Sequence, residues 1–586
     1  MESKTADERK SIPHERLRDG ISGVMAIAFF LLFLLFVWYG IYQKSLDFLS
    51  GADTGIPGNP EIIPQDMIEP AVKAVVRAFA VMTLYAFLFA NPDQALGHAG
   101  ERLSRQDLRT QKISGRRHLR TIPWWAQALI LFAFSYWLRM KVIALIGQDT
   151  IQIMDFERVF YISLEDAPVF ADVQGVNFYQ AFPNWALHVK LLHLLNVNFG
   201  GTPLTGITWN AAAASLSAAL LYLVVYFATE KDVFAVLSAL IFTCWPFWLY
   251  YTILLTPDFN FVLLCLFGLL ILVISYRFVS VTWLKVCLSA AAGIVLSLAG
   301  FFKSIDKILL IALGIVWVLS FIAYGRFDRK KALCGLLSVI VFFGAWAGTG
   351  RLVYRLIEDY VGGPVNRNVA PYFLNVGMNV DTYGQWSEEV LNEYLSGIRQ
   401  TDYDFEQVNA QMQKNLERRV EEVKAKMKAD GAQAADKTDG TAGEEPASRW
   451  DFFDVKLEKA WANNEGIRFI MQTINPGNPL YDIEFYETYY AQIQAYQVVA
   501  AFLMMAGGLC ALLMRDRRIV MVSALMVFGF ALLLLLSEVQ PRYKTVVFPF
   551  MSVVAAYGIY GVLRPVQLMI LTGFRKLRKM YGRSRE

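Results

Sequence analysis

The feature that most constrains this chain is a series of twelve apolar runs, each near the length that crosses a bilayer, joined mostly by short polar loops. A spanning helix takes roughly 20 mostly apolar residues. The runs are 21–41, 71–90, one starting at Ile122, then 204–228, 233–254, 259–276, 283–301, 308–324, 332–347, 498–514, 520–536 and 546–562. Lipid offers the backbone no hydrogen-bond partner, so a spanning segment must be a helix or a strand of a closed barrel. These runs lack the period-two alternation of barrel strands. The expected fold is an all-α polytopic membrane protein of about twelve transmembrane helices, with a soluble section on the outer face. Composition agrees: 55% of the 586 residues are apolar and 18% charged, too apolar for a soluble chain of this length. A net charge of +4 gives no footing for nucleic-acid binding.

The basic residues alternate from loop to loop. Residues 1–20 carry five Lys or Arg and 91–121 carry seven, whereas 43–70 hold five acids against Lys44 alone. The positive-inside rule then puts residues 1–20, 91–121, the RFDRKK run at 326–331, RDRR at 515–518 and the C-terminal tail in the cytoplasm. Both ends are expected inside. The first run is too long for a signal-peptide core and no small-residue cleavage site follows it, so it reads as a retained helix.

The chain divides accordingly. Residues 1–121 hold the N-terminus, two accessory spans and a basic inner loop. Residues 122–350 form a membrane core whose first large outer loop is 148–203. Residues 351–495 form an extracytoplasmic section, 496–563 the last three spans, and 564–586 a basic tail. Within the outer section, 403–428 reads as a charged surface helix, 429–448 as a disordered small-residue linker, and 450–472 as helix again. Trp450, Phe452, Phe453 and Trp461 are expected to anchor at the membrane interface. The five cysteines lie in apolar runs, where a thiol behaves as a small hydrophobe. His188 and His193, five apart, do not share a helix face for a metal and read as structural.

Four groups of chemistry-bearing residues fall on the expected outer face. One is the loop with Asp155, Glu157, Glu165, Asp166 and Asp172, preceded by Arg139 and Lys141. The second is Asp258 in LLTPDF. The third is FFKSIDK at 301–307, with Lys303, Asp306 and Lys307; Asp306 is placed to neutralise a cation in that turn. The fourth is SEVQPRYK at 537–544, with Glu538, Gln540, Arg542 and Tyr543. Carboxylates can take a proton from an attacking hydroxyl, and Arg or Lys can hold a phosphate. Such a gathering suits a substrate with both hydroxyls and phosphate. A lone acid in an outer loop is most often merely solvated, and Lys303 and Lys307 would equally serve as snorkelling residues at a span's edge.

The order of these pieces resembles a known family. The sequence runs WLRM, a carboxylate loop, YQAFPNW at 179–185, an Asp in a hairpin, FFKS, and late SEVQPRY. It is similar to the GT-C superfamily of integral membrane glycosyltransferases, in particular the bacterial polyprenyl-phosphate-sugar-dependent branch akin to protein mannosyltransferases and the lipid A aminoarabinose transferase. FLNVGMNVDTYGQWSEE at 373–389 and KLEKAWANNEGIRF at 456–469 resemble the GLN…G.W and W..GT.F patterns of Gram-positive members. The likeness covers roughly residues 122–563.

The resemblance implies a hexosyl or pentosyl transferase of a bacterial plasma membrane. It would move a sugar from a polyprenyl-phosphate donor, with inversion, to a hydroxyl of a cell-wall polymer, lipid-linked glycan or protein on the extracytoplasmic face. It makes Asp155 the catalytic base, with Glu157 as the alternative, and Asp258 the second acidic residue of the catalytic set, assisting the acceptor or, in some relatives, a metal. Lys303, Arg542 and Arg139 would hold the donor phosphate. Glu538, Tyr543 and Asn379 would contact substrate. A divalent cation is open, since relatives differ and no ligand cluster is decisive here. The chain departs from the family in its two extra N-terminal spans, in TPDF where relatives show a Ser-Asp or Thr-Asp pair, and in FFKSIDK where they show K-P-T. The alternative class is a transporter or lipid flippase, for which inverted repeats and mid-span charges would speak. A structural subunit binding a partner through 351–495 is a third.

Overall fold

A computed structural model describes residues 23–49, 65–90, 122–165, 172–323, 329–436, 450–462, 466–476, 478, 483–513 and 518–564. The cytoplasmic assignments at 1–20, 91–121, 515–517 and 565–586, and Asp166, lie outside them. The protein is built almost wholly of helices. The exception among the described residues is a two-stranded antiparallel ribbon, Asp172–Val173 with Val176–Asn177.

Ten described helices are long and apolar enough to cross a membrane, or eleven if the bent pair Asp232–Thr243 and Pro246–Ile253 is one span. The protein is thus a multi-pass α-helical membrane protein. The one remaining expected run, 308–324, corresponds to the helix Asp306–Ala323, 18 residues that open with an acid and a base, and it stands outside that count. The expected straight run at 233–254 is bent by 58°. Pro246 has no N–H to carry a helix through the break, and Asn210 Nδ2 donates to the carbonyls of Thr252 and Leu254 beyond it, at 3.1 and 2.7 Å. A buried amide thereby satisfies carbonyls left free where the second helix ends at Ile253.

Two spans outrun their apolar windows. The run at 332–347 is part of a span Leu333–Val361, and that at 498–514 is part of Glu487–Leu513. The apolar runs stop short of the first charges, Arg351 and Glu487, whereas the helices themselves run on to Val361 and begin at Ile483. The expected outer section therefore begins and ends in helices rooted in the membrane.

Spanning helices associate without hydrophobic drive, so close backbone approach through small residues matters. A Cβ on Gly507 would run into the Val554 carbonyl, and one on Gly558 into the Leu503 carbonyl. The spans Glu487–Leu513 and Pro541–Arg564 can meet this closely only with glycine at both positions.

The helices Ala370–Gly377, Glu388–Gln400 and Phe405–Asp436 share a small core of Tyr372, Val390, Tyr394, Ile398, Val408 and Met412. Val176, Ala181 and Phe182 of the 172–185 segment pack into it, so this section sits over the first large loop. Arg419, itself buried, closes the packing on Glu389 and Glu393 at 3.3 and 3.0 Å. The surface helix runs to Asp436, not 428, so the start of the expected linker is helical; 437–449 lie outside the described residues. Phe452 and Trp461 are fully buried in protein, which removes them as interface anchors, whereas Trp450 is 59% exposed.

Candidate functional site

One large cavity, about 2040 Å³, gathers residues from all four groups at one end of the helices. Its first wall is the helix Met154–Glu165. Met154 takes a left-handed φ of 51°, which costs about 1–3 kcal/mol for a side chain of this kind. Asp155 then falls in the first helical turn, where free backbone N–H groups accommodate an anion. It is half-buried on the cavity wall and has no hydrogen-bond or ion-pair partner among the described residues. Glu157 lines the same cavity but is exposed.

Gln152 fixes this loop against the next. Its Nε2 donates to Ile253 O at 3.0 Å, and its Oε1 accepts from Leu255 N at 3.1 Å. One buried amide thus joins the approach to Asp155 to the approach to Asp258.

Asp258 opens the helix Asp258–Arg277 and is 2% exposed. Lys303 Nζ lies 2.8 Å from its Oδ1, Tyr251 OH donates to Oδ2 at 3.0 Å, and Thr545 Oγ1 approaches Oδ2 at 3.4 Å. The carboxylate is neutralised and its lone pairs are occupied, so it anchors Lys303 more than it offers a free acid. Lys303 in turn lies over the Tyr543 ring, 4.8 Å from its centroid. Within FFKSIDK, Lys303 is neutralised by Asp258 rather than Asp306, while Asp306 faces the charge of Lys307. That buried carboxylate also accepts from Trp346 Nε1 at 3.1 Å.

The third wall is the turn around Pro541–Val547. Gln540 is its pivot: its Nε2 donates to Glu538 Oε1 at 2.5 Å, and its Oε1 accepts from Arg542 Nε at 2.7 Å. Tyr543 lies over Lys303 and beside Arg542 in the same wall. The Arg542 guanidinium is enclosed by the rings of Phe156, Phe469 and Tyr543 at 5.1, 5.5 and 5.9 Å. Burial pushes the Glu538 carboxyl above the ordinary range, against the Gln540 bond and the Arg542 charge, which pull it down.

Seven of the nine residues singled out in the sequence therefore line one cavity: Asp155, Glu157, Asp258, Lys303, Glu538, Arg542 and Tyr543. Two do not. Arg139 is completely buried inside its span, bonded through Nη1 to Ser135 Oγ at 2.7 Å, with Nε and Nη2 unpartnered. Asn379 is spent on its own turn: it accepts from Asp381 N and Thr382 N at 2.9 and 3.2 Å and donates to Ser387 Oγ at 3.2 Å. His188 is structural and neutral, held by Leu255 O and Asn260, and burial pushes it down to about 4.

Sequence reasoning assigned no part to Gln152 or to Lys456. Lys456 is fully buried and donates to Gly377 O at 2.6 Å and Ser537 O at 2.9 Å. Nothing local marks either residue, because their partners lie some 80 to 100 positions away. No group of three or more His, Cys, Asp or Glu among the described residues stands close enough to hold a metal ion. Chemically, the cavity combines a carboxylate without a hydrogen bond or ion pair among the described residues, near the Arg542 charge, with two cations held in fixed places.

No family model matches the chain, and none of the curated proteins compared with it matches either.

Proposed function

We propose that this protein is a membrane glycosyltransferase that moves a sugar from a polyprenyl-phosphate donor to an acceptor hydroxyl. The observation that carries the reading is the contrast between two acids on one cavity. Among the described residues Asp155 makes no hydrogen bond or ion pair and only feels the Arg542 charge across the cavity, while Asp258 is paired with Lys303. An unpaired carboxylate can take the proton of an attacking hydroxyl. Lys303 and Arg542, each fixed by a partner, can hold a phosphate leaving group in a site of low dielectric. Displacement at the anomeric carbon then forms the new C–O bond as the C–O bond to phosphate breaks, with the proton passing to Asp155. Glu538 and Tyr543 support the sugar and orient Arg542. Asp258 acts through Lys303.

The test is transfer from a panel of synthetic polyprenyl-phosphate sugars by the full chain in nanodiscs, with donor binding measured in parallel. Transfer or slow donor hydrolysis by the wild type, lost in Asp155→Asn while the donor still binds, is the expected result. The second reading, a transporter or flippase, is favoured by the 58° break between Asp232–Thr243 and Pro246–Ile253, since broken spans are common in transporters. No donor binding across the panel, with lipid or solute flux in vesicles, would replace the enzyme by that reading.

A further inference from the structure

The first span, Gly23–Asp47, has no part in the chemistry above, yet a chain of hydrogen bonds ties it to the cavity wall. Tyr39 OH donates to Asp454 Oδ1 at 2.7 Å, and Lys44 Nζ lies 2.6 Å from Asp454 Oδ2. Ser45 Oγ, fully buried, accepts from Gln497 Nε2 at 2.8 Å. Phe36 packs edge-on against buried Trp461, with centroids 5.5 Å apart. Both Asp454 and Trp461 belong to the continuous segment 451–462 that carries Lys456.

Lys456 then holds two pieces of wall together. Its bonds to Gly377 O and Ser537 O bracket two backbone links, Glu538 N to Phe373 O at 3.0 Å and Val539 N to Gly384 O at 2.8 Å. Gly384 has a φ of 74°, and a Cβ there would press on the Lys456 ammonium. The segment that bears Glu538, Gln540 and Arg542 is therefore fixed at its root by two backbone bonds that one lysine brackets. That lysine's own helix is fixed by the first span.

We infer that Lys456 is a positioning residue for the Glu538–Arg542 wall, and that the first span is a working part of the site because it docks Asp454. The functional half of this inference rests on the glycosyl-transfer reading. The structural half does not.

The test uses the full chain in nanodiscs and four variants: Lys456→Met, Lys456→Arg, Asp454→Asn, and the double variant Tyr39→Phe/Lys44→Met. Amide hydrogen exchange is read on peptides covering 373–384 and 537–543, with 258–277 as the internal control. Donor dependence of transfer is read on the same samples. Lys456→Met, Asp454→Asn and the double variant should each speed exchange at Glu538 and Val539 by about tenfold, the worth of one hydrogen bond, with the control unchanged. They should raise KM for the donor more than they lower kcat, and Lys456→Arg should recover part of both. Faster exchange in Lys456→Met but not in Asp454→Asn or the double variant would overturn the role of the first span. Unchanged exchange in Lys456→Met would overturn the whole inference. A wild type that transfers no sugar, with the exchange pattern intact, would sink the enzyme reading and leave the coupling standing.

Discussion

Lys303 Nζ sits 2.8 Å from Asp258 Oδ1, in a pair where the acid is 2% exposed and the lysine 20%. Removing one partner of such a pair leaves an uncompensated buried charge. Asp258→Asn should therefore act on Lys303: donor affinity should fall by about tenfold or more, with a modest change in the rate of bound donor. Asp155→Asn should do the reverse, lowering turnover by about 10²–10⁴-fold while binding holds. Titrating a donor against both variants separates them, and equal loss of turnover in both would end the division of roles.

Arg542 is held by Gln540 and by three rings, and a lysine cannot reproduce that fit. Its planar fork gives up bidentate geometry on substitution. Arg542→Lys should weaken donor binding on the order of tenfold or more, and Gln540→Leu should do so less, by releasing the guanidinium. Donor titration by native mass spectrometry reads both. Full affinity in Arg542→Lys would remove Arg542 from the phosphate site.

Gln152 satisfies both Ile253 O and Leu255 N. Gln152→Ala strands two buried backbone groups, at about 1–3 kcal/mol each. The expected outcome is a clear fall in the thermal midpoint in detergent, together with reduced transfer. A midpoint within error of the wild type would show that the two loops do not depend on this amide.

Burial pushes the Lys456 amine down to about 7, against the opposing pull of Glu538. A lysine in the unfolded chain titrates near 10.4, roughly. Between roughly pH 7 and 10 the unfolded chain binds the extra proton, so the lysine's contribution to stability rises with pH across that window. A neutral amine still has two N–H groups for the two carbonyls it meets. The difference in thermal midpoint between wild type and Lys456→Met should grow in favour of the wild type from neutral to alkaline pH. A difference independent of pH would contradict the buried-amine account.

Much of the candidate site could be read in the linear order. Asp155, Lys303 and Arg542 each follow or precede an apolar run, and alternating loop charge puts them on a common side before any helix is packed. Their meeting in one cavity follows from that. What could not be read is which acid is engaged. Asp258 and Asp155 look alike as isolated carboxylates, and the residues that separate them, Lys303 and Thr545, are 45 and 287 positions from Asp258.

By itself the sequence determined that the chain is helical and crosses a membrane many times, and where most of the spans lie. The reason is that lipid leaves every unpaired backbone group at a cost of several kcal/mol, a demand met locally and so written locally. Only the tertiary structure decided that Arg139 and Asn379 stand off the cavity, that Asp258 is ion-paired and Asp155 is not, and that Lys456 brackets the root of the Glu538 wall. Hydrogen bonds and ion pairs act over about 3 Å, so these outcomes depend on packing between helices remote in the chain, which hydropathy and spacing do not encode.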